Sequence, residues 1–107
     1  MGLLSFCLIS GGKLFAQTAE KFIPKWVSSK GYWVVEGNKN SPKENTIRFY
    51  TNDNQLVYKE HISGTKLKLQ KNRVKMQLKE VLEKSITEWA TNNIAGENKD
   101  YVKGILH

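Results

Sequence analysis

The stretch 71-KNRVKMQLKEVLEKSITEWA-90 decides the fold, because its apolar residues recur at helical spacing. At 100° per residue, Val74, Leu78, Val81, Leu82, Ser85, Ile86 and Trp89 fall in one arc. An arc of about 140° suits a helix laid on a sheet. Lys79 with Glu83 and Glu80 with Lys84 are opposite charges at i,i+4, which adds a few tenths of a kcal/mol per pair. Thr91-Asn92-Asn93 ends the pattern.

Upstream of this helix the period changes to two. Gly31-Tyr32-Trp33-Val34-Val35-Glu36-Gly37 is aromatic and β-branched between glycines, a strand signal. Trp33 and Val35 share one face, and Tyr32, Val34 and Glu36 share the other. Asn38 to Asn45 is polar and reads as an exposed connection. Thr46-Ile47-Arg48-Phe49-Tyr50 alternates with Ile47 and Phe49 inward, and Asn52-Asp53-Asn54 links it to a third strand over Gln55–Ile62. That short polar link between two strands predicts a β-hairpin. Thr65-Lys66-Leu67-Lys68-Leu69 alternates again and is either a fourth short strand or an extended lead into the helix. Strands followed by one helix, without alternation, predict an α+β fold in two layers. Its antiparallel sheet of three to four strands packs on one long C-terminal helix.

The ends frame this unit. Residues 1–16 carry the apolar run Leu3-Leu4-Ser5-Phe6-Cys7-Leu8-Ile9, a Gly11-Gly12 break and the exit Leu14-Phe15-Ala16-Gln17. That order predicts a cleaved signal segment, with cleavage after Ala16 or Gln17 and export to the periplasm or outside the cell. No basic residue precedes the run, so a translation start upstream of Met1 is expected. The alternative is an apolar strand belonging to the fold. The run is too short for a permanent membrane anchor, which takes about 20 residues. Residues 17–30 are a lead-in, with a helical turn expected before Pro24 and with Phe22 and Trp26 packing down. Residues 31–91 form the domain. Residues 92–107 are a loose tail that contributes at most a short edge strand.

Composition narrows the function classes. The chain has 107 residues and one cysteine, Cys7, inside the predicted signal segment. The 91 residues that remain after removal of 1–16 have no thiol, hence no disulfide, thiolate ligand or cysteine nucleophile. A domain of that size buries about 60–65% of its unfolded surface, which favours one thin core over a core with a deep pocket. The formal net charge is +7, of which Lys13 belongs to the signal segment. Such a balance points to an anionic surface or an acidic protein as partner, although charge also serves solubility.

The placement of that charge is more informative than its sum. Lys66, Lys68, Lys71, Arg73, Lys75 and Lys79 fall within fourteen residues, with no acid among them before Glu80. Several lie in the first two turns of the helix, where cations oppose the macrodipole at about 0.3–1 kcal/mol each. A helix start ringed by Lys and Arg is a candidate anion site. The competing reading is that long side chains reach solvent and their cost is screened. On the helical wheel Lys71 and Lys75 flank the apolar arc while Arg73 lies nearly opposite, so the cations form no single stripe.

Tyr32 and Tyr50 are expected on the open face of the sheet, as part of a partner-binding surface. Such aromatics also serve as stacking platforms for single-stranded nucleic acid; predicted export argues against that partner. His61, beside Glu60 on the third strand, is the one internal histidine. A small hydrolase or lyase using His61 or a carboxylate pair is the enzymatic alternative, and it needs a cleft. No catalytic motif, metal-ligand spacing or phosphate-binding glycine loop is present, so no cofactor and no metal are expected. The leading expectation is a non-enzymatic interaction domain.

The segments Lys30-Gly31-Tyr32-Trp33-Val34-Val35-Glu36 and Ile47-Arg48-Phe49-Tyr50-Thr51-Asn52-Asp53-Asn54-Gln55-Leu56-Val57-Tyr58, with the Arg/Lys-led helix, resemble small uncharacterised exported proteins of Bacteroidetes-type bacteria. The Phe15-Ala16-Gln17 exit is similar to signal peptides of that group, and the overall shape is similar to periplasmic modules of PepSY type. The resemblance spans Trp26 to Trp89 and implies export, with no activity attached.

Overall fold

The computed structural model describes residues 23–106. The predicted signal segment and Phe22 lie outside them. The described chain runs β1 (Gly31–Asn38), β2 (Ser41–Thr51), β3 (Leu56–Ser63), α1 (Asn72–Asn92), β4 (Gly96–Glu97) and a 3-10 turn (Lys103–Ile105). The four strands form one sheet in the order β1-β2-β3-β4, and α1 packs across β1, β2 and β3. This is the expected two-layer α+β fold.

Alternation places Ile47 and Phe49 inward as read from the sequence. Tyr58 and Ile62 join them on the sheet's inner face, all buried against Val74, Leu78, Val81 and Leu82 of the helix. Ser85 occupies the same arc and returns its hydroxyl to the Val81 carbonyl at 2.7 Å, which removes the cost of burying it. Asn93 ends α1 in the left-handed conformation, its N–H donating to the Trp89 carbonyl at 2.7 Å. Asparagine is among the few residues other than glycine that adopt this cap at low cost.

Three expectations change, and one open alternative is decided. First, the polar stretch after β1 is not a long connection. Only Lys39 and Asn40 turn, and β2 begins at Ser41. The pairing with β1 jumps from Gly37↔Asn45 to Asn38↔Ser41, so residues 42–44 bulge from that ladder while Glu44 still pairs with Ser63 of β3. The bulge tolerates Pro42, which has no N–H to donate. Second, of the two readings of Thr65–Leu69 the extended lead-in holds and the strand does not. The sheet edge beside β3 is already occupied by β4, so this segment has no ladder to join, though Leu67 and Leu69 still pack on the core.

Third, the sheet is mixed, not purely antiparallel: β3 and β4 run parallel, pairing Tyr58↔Gly96 and Lys59↔Glu97. The physical reason is the crossover. A chain that leaves β3, crosses the sheet as a helix and returns beside β3 re-enters in the same direction. Fourth, the tail supplies the short edge strand expected of it at most, β4, but the rest of it is not loose. Val102 is fully buried, and Tyr101 stacks on Tyr58 with ring centroids 4.8 Å apart. Glu60, only 1% exposed, accepts hydrogen bonds from the Tyr58 hydroxyl at 2.6 Å and from the N–H groups of Val102 at 2.9 Å and Lys103 at 2.8 Å.

Ahead of β1 the chain turns at Lys25-Trp26, the Val27 N–H donating to the Pro24 carbonyl. Trp26 lies against Trp33, with ring centroids 5.7 Å apart. Gly31 follows, where a Cβ would sit 2.1 Å from the Tyr50 carbonyl oxygen. Only glycine admits so close a backbone approach.

Candidate functional site

A cleft of about 360 Å³ opens at the start of α1. Its walls are the loop leaving β3, the first turn of the helix, Lys43 from the β2 bulge and Leu106 from the tail. Gly64 turns the chain out of β3 with φ of 81°, a conformation that costs glycine little. Its N–H donates to the Lys43 carbonyl at 3.0 Å and so holds the bulge against the loop.

Five cationic residues line this cleft: Lys43, Lys66, Lys68, Lys71 and Arg73. No carboxylate is among its lining residues. The helix start within it is bare. Lys71 occupies the N-cap with extended backbone and no capping hydrogen bond from its side chain, and the first turn contains no acidic residue. A first turn normally draws an acceptor from Ser, Thr, Asp or Asn, because its leading N–H groups have no partner within the helix. Here those donors and the positive end of the dipole add to the side-chain charge, an arrangement that suits phosphate, sulfate or carboxylate oxygens.

The six cations singled out in the sequence therefore separate. Lys66, Lys68, Lys71 and Arg73 share the cleft. Lys75 and Lys79 serve the N-terminal lead-in: the Lys75 ammonium stands 4.8 Å from the Trp26 ring centroid, and Lys79 Nζ donates to the Lys25 carbonyl at 2.9 Å. Lys43 belongs to the cleft and was missed, since its stretch reads as a solvated connection. The bulge that moves it there has a sequence signal only in Pro42.

Tyr32 and Tyr50 lie across β1 and β2 on the sheet face away from the helix, stacked with ring centroids 5.2 Å apart. The Tyr32 hydroxyl donates to Asn54 Oδ1 at 2.6 Å. Arg48 and Glu36 form an ion pair on these strands. The tyrosines and the basic cleft thus belong to opposite sides of the molecule.

His61 is exposed on β3 and joins a chain of polar contacts. Its Nδ1 lies 3.1 Å from Thr46 Oγ1, and its Nε2 lies 3.0 Å from Glu44 Oε1. The Ser63 hydroxyl donates to the other oxygen of Glu44 at 2.7 Å. These contacts, led by the Ser63 hydroxyl and followed by His61, hold the Glu44 carboxyl below its ordinary value. A hydroxyl, an imidazole and a carboxylate in series form the skeleton of an activated nucleophile. None of His61, Thr46 and Glu44 lines the basic cleft, however. Among the described residues no three His, Cys, Asp or Glu side chains converge as metal ligands, and no helix is long and apolar enough to cross a membrane.

Comparison with known proteins finds no matching family model, no similar curated protein and no similar solved structure.

Proposed function

We propose that this domain is a non-enzymatic binding module, exported to the periplasm or beyond, that recognises an anionic partner through the basic cleft at the start of α1. One observation carries the reading: five cations converge on a carboxylate-free cleft around an uncapped helix start. Each cation at that helix end costs stability through the macrodipole. A bound anion reverses the sign of that cost and satisfies the leading N–H groups at once. The overall charge of +7 adds long-range attraction toward the same class of partner.

The test is co-sedimentation with vesicles of phosphatidylglycerol and phosphatidylcholine in equal parts, set beside phosphatidylcholine alone and a polyglutamate column. Retention that falls steeply between low and physiological salt is expected on one anionic probe, with loss when Lys68, Lys71 and Arg73 are replaced together by Ala. Retention unchanged by that triple replacement overturns the cleft as the site. Equal retention of single-stranded DNA would move the reading to a nucleic-acid module.

A second reading, a small hydrolase, is favoured by the Thr46–His61–Glu44 contacts alone. It requires a substrate that brings its own enclosure to a strand face. Turnover of ester substrates that disappears in His61→Ala supports it.

A further inference from the structure

We propose that two copies of this chain associate edge to edge through β1, antiparallel about a two-fold axis at Val34, to make one continuous eight-stranded sheet. The inference is independent of the anion-binding reading.

β1 is the terminal strand of the sheet, paired only with β2. The phase of the ladder fixes which of its backbone groups face outward. The Thr51 N–H is taken by the Gln55 carbonyl, on the β3 side of β2. The N–H of Asn98 bonds the Lys59 carbonyl and the His61 N–H bonds Asn98, so Lys59 and His61 turn away from β2. In an antiparallel ladder the bonded and non-bonded pairs alternate. With the register Trp33↔Phe49 and Val35↔Ile47, the N–H and C=O groups of Trp33 and Val35, with those of Gly37 at the strand end, therefore point out of the sheet, whereas Gly31 is buried beneath the lead-in. Among the described residues β1 pairs with β2 alone, and none of these groups takes part in a turn, loop or cap hydrogen bond.

Edge strands of natural proteins are commonly guarded by lysine, proline, an inward-pointing charge or a bulge. The run from Gly31 to Gly37 contains no lysine and no proline, and it pairs with β2 without interruption up to its far end. Its single charge is Glu36, already paired with Arg48. Apolar side chains are exposed on the same strand: Tyr32 and Val34 are 37% and 42% exposed on the open face.

Two features select a second copy as the occupant. The chain carries a net charge of +7, so most of its surface repels its twin; β1 itself has no positive charge, and cations flank it only at Lys30 and Lys39. The strand is also self-complementary. Pairing Trp33 with Val35 of the twin gives the outward groups of both residues reciprocal partners on either side of the axis. Val34 meets its own copy on the open face, while the indole of Trp33 and the side chain of Val35 adjoin on the helix side. Such a reciprocal contact closes at two copies.

The test is light scattering on the full chain across a concentration series, joined to amide hydrogen exchange. A species of twice the chain mass is expected, with Trp33 and Val35 amides exchanging more slowly as concentration rises. Val34→Glu sets two carboxylates against each other at the axis and is expected to leave only the monomer. Its side chain is exposed and opposite Arg48, so the fold is retained, as circular dichroism checks. Val34→Thr is expected to keep the dimer. A wild-type chain that stays monomeric overturns the proposal, as does a dimer indifferent to Val34→Glu. Slow exchange at Trp33 and Val35 independent of concentration also overturns it, in favour of another stretch of the same chain on this edge.

Discussion

The carboxylate of Glu60, in the middle of β3, accepts the backbone N–H of Val102, forty-two positions later, at 2.9 Å. The contact joins the sheet to a tail segment that follows the helix, and it is buried on both sides. A buried acid is tolerated because three donors converge on it: the Tyr58 hydroxyl and the N–H groups of Val102 and Lys103.

Replacing Glu60 by Ala strands those donors. A loss of about 3 kcal/mol is expected from unsatisfied buried groups, read as a lower urea midpoint. Glu60→Gln keeps the shape and one acceptor oxygen and is expected to lose about half as much. Equal losses would show that packing, and not the carboxylate, anchors the tail.

Burial, and then the hydrogen bond to Glu60, raise the Tyr58 phenol well above its ordinary value. The folded state thus holds that proton more tightly than the unfolded chain. The resulting stability is complete below the unfolded phenol value, about 10, and declines as pH rises beyond it. Alkaline unfolding monitored by circular dichroism is expected to show this slope, and Tyr58→Phe is expected to flatten it.

The Glu44 carboxyl is lowered, first by Ser63 and then by His61. A lowered acid stabilises the fold above its unfolded value, and that contribution fades as pH falls through the folded one. Carbon-detected titration of Ser63→Ala is expected to return Glu44 toward the ordinary carboxylate value. A titration curve that does not move would assign the shift to His61.

Lys71 at the N-cap sets binding against stability. Lys71→Asp supplies a capping oxygen and a favourable charge at the dipole's positive end, a gain of about 1 kcal/mol. The same change places a carboxylate in the cleft. Thermal melting is expected to rise while retention on anionic vesicles falls; a rise in both would remove the helix start from the binding site.

The legible parts of this fold are those where one period runs unbroken. The arc from Val74 to Trp89 and the alternation of Ile47 and Phe49 each report a single buried face, and both lie as read. A short edge strand in the tail was legible as an option, but its position and its parallel direction were not, because two residues of strand carry no period and their pairing depends on where the helix delivers the chain. Glu60 looked like any strand acid; its burial is decided by tail residues distant in sequence. Of the candidate site, the clustering of Lys66, Lys68, Lys71 and Arg73 follows from adjacency along the chain. The contribution of Lys43 does not, since it needs the bulge after Asn38. The departure of Lys75 and Lys79 depends on a lead-in whose path no local pattern specifies.

The parallel crossover has a consequence for how the chain acquires its structure. The two hairpins of β1, β2 and β3 close over short loops, whereas joining Glu60 to Val102 closes a loop of some forty residues and carries a larger entropic barrier. The tail is therefore expected to dock last. Until it does, β3 stands as a second open edge above an unsatisfied carboxylate, and the chain has two adhesive borders in place of one. The final segment, Gly96 to Leu106, then acts as a kinetic seal: slowing its closure, as Val102→Ala would, is expected to raise aggregation during refolding more than its cost of about 2 kcal/mol would suggest.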